Sequence, residues 1–247
     1  MTRIGLIVGS GILDWDLGWQ ETGDRHTDFG EASATLRTAE VGAHSVLVLA
    51  RHGVPHRYAP HAVNYRANLK LLKNHGAQAI IALNTVGGIS DIAPTGALLV
   101  ADQLIDYSWG RAQSFSADDA VRHIDFSVPY DQQLREALLM AAARIGLPLH
   151  DGGVMGVTQG PRLETAAEIA RMARDGCDIV GMTGMPEAVL ARELDIPFAS
   201  LAMVVNPAAG LSAGIIEISE IRAVSDRCMV RATELLGALF ESVESFD

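Results

Sequence analysis

Apolar residues fall along this chain in short unbroken runs separated by polar and glycine-rich stretches. The runs lie at about residues 3–8 (RIGLIV), 45–50 (SVLVLA), 79–83 (AIIAL), 97–101, 153–158, 178–181 and 198–205 (FASLAMVV). Several are apolar at successive positions, as suits central strands covered by helices on both faces. Between them the spacing becomes helical. Val63, Ala67 and Leu71 recur every fourth residue, and Leu134, Leu138, Ala141 and Ile145 form a stripe that stops before Gly146. A last helix is predicted from about 220 to 243, with Ser219 as N-cap and Ile221, Val224, Cys228, Ala232, Leu235 and Leu239 as its apolar side. Strands alternating with helices predict an α/β fold with a largely parallel sheet. No repeat, low-complexity tract or Pro/Ser-rich linker divides the 247 residues, so one domain spanning 1–247 is expected. Residues 106–130 break the pattern: five aromatics stand among polar groups with no period, which marks a long loop used in function or at a subunit contact.

Composition narrows the function classes. With 49% apolar and 20% charged residues the chain is globular. A net charge of −11 argues against a nucleic-acid binder and against an anionic membrane surface. It leaves room for a small anion held by a few arginines and backbone N–H groups. No run approaches the roughly 20 apolar residues of a membrane helix. The opening MTRIGLIVGSGI carries no secretory leader pattern, and the two cysteines, Cys177 and Cys228, suit buried thiols in a reducing cytoplasm.

In open α/β sheets, ligands sit beyond the carboxyl ends of the strands. Six such ends carry candidate chemistry. Gly9-Ser10-Gly11 allows close backbone approach and adds a hydroxyl, although a plain tight turn reads the same way; Asp14 breaks the G-x-G-x-x-G dinucleotide pattern. Arg51 offers a planar fork for an oxyanion, and His52 a further donor. His56, His61 and Asn64 follow, without metal-ligand spacing. Asn84-Thr85-Val86-Gly87-Gly88 supplies another hydroxyl on flexible backbone. Ser10, Arg51, His52 and Thr85 can converge on one phosphate-sized anion. In Gly160-Pro161-Arg162-Leu163-Glu164 the chain breaks and Glu164 opens a helix, where its carboxylate either stabilises the helix terminus or accepts from a heterocycle edge. Met182 and Thr183 follow the sixth run, with core packing as the alternative for Met182. Asn206 ends the last run, where it can both donate and accept, or simply form an Asx turn before Pro207.

Taken in order, these segments resemble the trimeric purine nucleoside phosphorylase and methylthioadenosine phosphorylase family. The resemblance spans nearly the whole chain. It is carried by ARHG-x-x-H-x-x-x-P-x-x-VNYRAN (50–68), GPRLET-x-AEI (160–169) and DIVGMTGMPEAVLARE (178–193). Through VVNPAAG-x-SAGII (204–216) the chain is most similar to the bacterial S-methyl-5′-thioinosine phosphorylases. The resemblance implies a single-domain α/β/α sandwich with a central mixed, largely parallel sheet, a homotrimer, and no metal or organic cofactor, with inorganic phosphate as co-substrate. It implies phosphate contacts from Ser10, Arg51, His52, Thr85, the Val86 N–H and Thr183. Met182 falls where the family packs the ribose, and Leu163, Glu164 and Asn206 where it surrounds the base. His123 falls where a neighbouring subunit reaches the 5′ group.

The departures bear on substrate. Methylthioadenosine phosphorylases carry aspartates at the positions of Asn206 and Ala208, whereas 6-oxopurine phosphorylases pair Glu and Asn at the positions of Glu164 and Asn206. A 6-oxopurine presents N1–H as donor and O6 as acceptor, which Glu164 and the Asn206 amide complement; adenine reverses both. Mismatches of this kind discriminate by as much as ~10⁴. Residues 206–247 contain no histidine to bind a 5′-hydroxyl, while Ile215, Ile216 and Ile218 offer apolar surface. The expectation is phosphorolysis of S-methyl-5′-thioinosine to hypoxanthine and 5-methylthioribose 1-phosphate. A general inosine/guanosine phosphorylase is the alternative, and a methylthioadenosine phosphorylase a more distant one.

Overall fold

The computed structural model describes residues 2–9, 15, 17–116, 121–212 and 217–242. Ser10, Gly11, Ile215 and Ile216 lie outside the described residues. The chain runs β1 (Thr2–Val8), β2 (Gln20–Glu21), β3 (His26–Thr27), β4 (Gly30–Glu31), β5 (Arg37–Val41), β6 (His44–Ala50), α1 (Tyr65–Asn74), β7 (Ala79–Gly88), β8 (Leu98–Val100) and β9 (Gln103–Asp106). It continues through α2 (Gln132–Arg144), β10 (His150–Asp151), β11 (Val154–Val157), α3 (Ala166–Asp175), β12 (Ile179–Gly181), α4 (Glu187–Glu193), β13 (Phe198–Pro207) and α5 (Ile218–Ser242). The unbroken apolar runs became the inner strands, and β6 is buried at every position. β5 and β9, whose sequences RTAEV and QLID mix polar and apolar residues, carry no such run.

One mixed sheet holds the strands in the order β10-β8-β13-β7-β1-β6-β5-β2, and a branch β12-β11-β9 leaves from β7. The pairs among β13, β7, β1 and β6 are all parallel. One face packs against α1 and α4 through Leu69, Leu72, Ala188 and Leu190. The other packs against α2 and α5 through Leu134, Leu138, Leu235 and Leu239. The result is three layers around two apolar interfaces.

Two local features shape the end of the sheet. The last turn of β7 is shared: Gly87 and Gly88 pair with Val180 and Ile179 of β12 on one side and with Asn206 and Pro207 of β13 on the other. Gly88 is required there, because a Cβ would lie 2.0 Å from the Ala93 carbonyl oxygen. In β13 the register slips between Val204, opposite Val86, and Asn206, opposite Gly87. This β-bulge breaks the two-residue alternation and places Asn206 on the same side as Thr85 and Gly87.

Two helix starts differ from expectation. α5 begins at Ile218, so Ser219 lies in its first turn instead of capping it. Glu164 does not open α3. Thr165 is the N-cap, and a reciprocal pair with Glu168 closes the helix terminus. Among the described residues no helix is long and apolar enough to cross a membrane.

Candidate active site

A cavity of about 500 Å³ opens where β6, β7, β12 and β13 end. Its walls include His52, Thr85, Leu163, Glu164, Met182, Thr183 and Asn206, drawn from five of the six segments that the sequence singled out. The shared end of β7 explains the meeting: it sets the Thr85 segment between the β12 end, with Met182 and Thr183, and the β13 end, with Asn206.

One end of the cavity is a tightly bonded floor. Arg51 is 2% exposed and stands behind the wall instead of in it. Its Nε and Nη2 donate to the two carboxylate oxygens of buried Glu187 at 2.6 and 2.9 Å, and its Nη1 donates to the Leu83 carbonyl at 3.0 Å. Burial works against the guanidinium charge, but the Glu187 carboxylate outweighs it and raises the Arg51 pKa. The expectation of Arg51 as a free anion fork is therefore corrected: a carboxylate already occupies the fork, and only the remaining Nη N–H groups are open. His52 is corrected in the same way. Its Nδ1 lies 2.8 Å from the Tyr58 carbonyl, an acceptor only, so Nδ1 carries the proton. Burial, the Arg51 charge and His56, whose ring stacks on His52 at 4.3 Å, hold its pKa down to about 4. At neutral pH the ring is uncharged and offers Nε2 as an acceptor, not a donor. Thr183 accepts at Oγ1 from Asn84 Nδ2 at 2.9 Å. Val86 is 2% exposed with its side chain in the core, and it is not among the residues that line the cavity.

The opposite wall is more open. Leu163 is 40% exposed. Glu164 Oε1 accepts from the Thr158 hydroxyl at 2.6 Å, while Thr165 and Glu168 serve the helix terminus. Asn206 Nδ2 donates to the Pro207 carbonyl at 2.6 Å, leaving the second amide N–H and Oδ1 for a ligand. Val205, Ala209 and Ile221 supply apolar lining. Ile218, in contrast, is 56% exposed and outside the cavity. Gly160 lets Met182 sit close, since a Cβ there would meet its sulfur at 2.6 Å.

Several residues that the sequence did not mark hold this arrangement. Glu187 lies 136 positions from Arg51. Arg111, from the aperiodic loop, is 9% exposed. It donates to the carbonyls of Met185, Thr158, Gln159 and Met182 at 2.6 to 3.0 Å. It thereby ties the β11 end to the β12 end behind the cavity. A lone arginine in a loop gives no local signal for such a role. His123, from the same loop, is exposed and does not line the cavity of its own chain.

Known proteins share this architecture. Residues 3–241 match the family model of the phosphorylase superfamily. A probable S-methyl-5′-thioinosine phosphorylase of Pseudomonas syringae pv. tomato is 50% identical over 224 residues, covering 90% of this chain and 91% of that protein. A 6-oxopurine nucleoside phosphorylase of Pyrococcus furiosus is 40% identical over 90% of this chain and 85% of its own. Among solved structures, methylthioadenosine phosphorylase from Schistosoma mansoni in complex with adenine superposes with a TM-score of 0.89 at 30% identity, covering 97% of this chain and 91% of that one. Matched from β1 to α5 and alike in fold, the chain belongs to the phosphorylase superfamily.

Proposed function

We propose that the chain catalyses phosphorolysis of a 6-oxopurine nucleoside, S-methyl-5′-thioinosine first among them, giving hypoxanthine and 5-methylthioribose 1-phosphate in purine salvage. The observation that carries this reading is a single cavity with an anion-suited floor (Thr85, Thr183, His52, with Arg51 behind) facing a wall that holds a carboxylate and a carboxamide, Glu164 and Asn206. Hydrogenphosphate on the floor attacks C1′, and the C1′–N9 bond breaks with its electron pair passing to the purine. Positive charge builds on the sugar beside the phosphate, as in other glycosyl transfers. The unused Asn206 N–H meets charge growing at N7 and O6, a contact that strengthens in the transition state. Glu164 accepts from N1–H. His52 Nε2 accepts the one phosphate O–H, orienting the nucleophile. Ser10 is proposed to complete the phosphate contacts and Met182 to pack against the ribose. The scheme calls for no metal or organic cofactor.

Ile221, Val205 and Ala209 favour a methylthio group at the 5′ end over a hydroxyl. We place the enzyme in the cytoplasm as a homotrimer, in which His123 reaches a neighbour's cavity. Trp109 and Val128, 71% and 56% exposed on the same loop, would be covered by that contact. Absorbance assays with methylthioinosine, inosine and methylthioadenosine, each with and without phosphate, test the reading. Phosphate-dependent cleavage fastest on methylthioinosine is expected; fastest cleavage of inosine supports the general phosphorylase, and a preference for methylthioadenosine refutes the base assignment.

A further inference from the structure

Asn84 and Ser200 are polar residues in the middle of an apolar layer. Both are fully buried, on the neighbouring strands β7 and β13. The residues two positions away on the same face, Ala82, Val86, Phe198 and Ala202, all belong to the core facing α1 and α4. Burying an amide and a hydroxyl there is unfavourable unless each is hydrogen-bonded, and a purely structural core would do better with alanine or valine. The bonds form a directed chain. Ser200 Oγ donates to Asn84 Oδ1 at 3.0 Å, and Asn84 Nδ2 donates to Thr183 Oγ1 at 2.9 Å. Thr183 is at the cavity wall. A hydroxyl has one proton. With Asn84 donating to its oxygen, Thr183 must point that proton elsewhere, toward whatever occupies the floor. With the amide reversed, Thr183 would donate to Oδ1 and turn lone pairs on the ligand.

We propose that Asn84, with its Oδ1 engaged by Ser200 Oγ, is a positioning residue that fixes the polarity of the Thr183 hydroxyl, making Thr183 a donor to bound phosphate. The inference rests on the phosphate reading of Thr183. It assigns a purpose to two buried polar side chains that touch no substrate, and it makes the phosphate-binding floor extend through the sheet to β13.

The test is a double-mutant cycle read as separate KM values for phosphate and nucleoside. Asn84→Asp keeps the shape but puts an acceptor where the donor stood. In the otherwise wild-type enzyme it should raise the phosphate KM by on the order of 10²-fold at pH 8 while the nucleoside KM stays within about threefold, the range for losing and reversing a hydrogen bond to a charged group. The rise should shrink as pH falls and the introduced carboxyl takes up a proton it can donate. With Thr183→Val already present, Asn84→Asp should raise the phosphate KM at least tenfold less, because only charge repulsion remains. An equal factor in both backgrounds, or matched rises in both KM values, overturns the proposal. Ser200→Ala is the milder second arm, expected to raise the phosphate KM several-fold with kcat unchanged; if Asn84→Asp fails to fold, the cycle of Ser200→Ala with Thr183→Val decides by the same criterion. Thr183→Val alone leaving the phosphate KM at its wild-type value refutes the phosphate reading itself, whereas a loss on Thr183→Val without coupling to Asn84 refutes only the role of Asn84.

Discussion

The two ends of the cavity are built on opposite principles. On the floor, three polar groups are each held by a partner within the protein: Arg51 by Glu187, Thr183 by Asn84, His52 by the Tyr58 carbonyl. On the base-facing wall, Glu164 is steadied by one hydroxyl, Asn206 by its neighbour's carbonyl, and Leu163 is 40% exposed. The floor is embedded in the core, so changing it disturbs folding along with chemistry. The wall is carried on strand ends and turns, so changing it alters selectivity at little structural expense. On the proposed reading, a scaffold of this kind keeps its nucleophile site and exchanges its leaving-group site.

Breaking the buried ion pair should have the largest effect. Glu187→Ala leaves the Arg51 charge buried without a counterion and should destabilise the protein by about 3–5 kcal/mol, measured by denaturant unfolding. Next, Asn206→Ala should lower kcat/KM by on the order of 10²–10³ with stability nearly intact. A stability loss as large as that of Glu187→Ala would erase the contrast between floor and wall, and near-wild-type turnover would remove Asn206 from the mechanism.

Glu164→Gln should weaken 6-oxopurine substrates by about 1.5–3 kcal/mol, the worth of a hydrogen bond to a charged group, and adenine substrates less. Equal losses on both would end the base-reading argument. The smallest effect concerns pH. His52 titrates near 4 in the folded protein against an ordinary 6.5. Between those values the unfolded chain binds the extra proton, so stability is retained above about 6.5 and declines as pH falls toward 4. His52→Gln should flatten that decline by about 1–2 kcal/mol, seen in melting curves between pH 4 and 7. An unchanged slope would show that His52 is not held neutral by its surroundings.

Much of the fold was legible because its inner strands are covered on both faces, which demands unbroken apolar runs such as SVLVLA and FASLAMVV. β5 and β9 escaped because each keeps polar residues in reach of solvent. The site residues were legible as strand-end residues, and most of them do meet in one cavity. Their orientations were not. The partner that turns Arg51 inward lies 136 positions along the chain, Arg111 acts through backbone carbonyls that any sequence possesses, and the neutral tautomer of His52 depends on the placement of one carbonyl. Glu164 and Ser219 were misplaced at helix starts, where competing caps one or two residues away are decided by packing.

The slip in β13 has a consequence for how this enzyme can evolve. Side chains on a strand point up and down in turn, and the one surplus residue near Val205 is what puts the carboxamide at position 206 on the side of Thr85 and Gly87, where it lines the cavity. Were the strand to pair regularly at its full length, Val205 would stand opposite Gly87 and the carboxamide at position 206 would turn to the other face of the sheet, away from the cavity that Asn206 lines. Lineages can therefore trade the identity of that side chain freely, so long as the side of the strand that carries it, set by the slip, is kept.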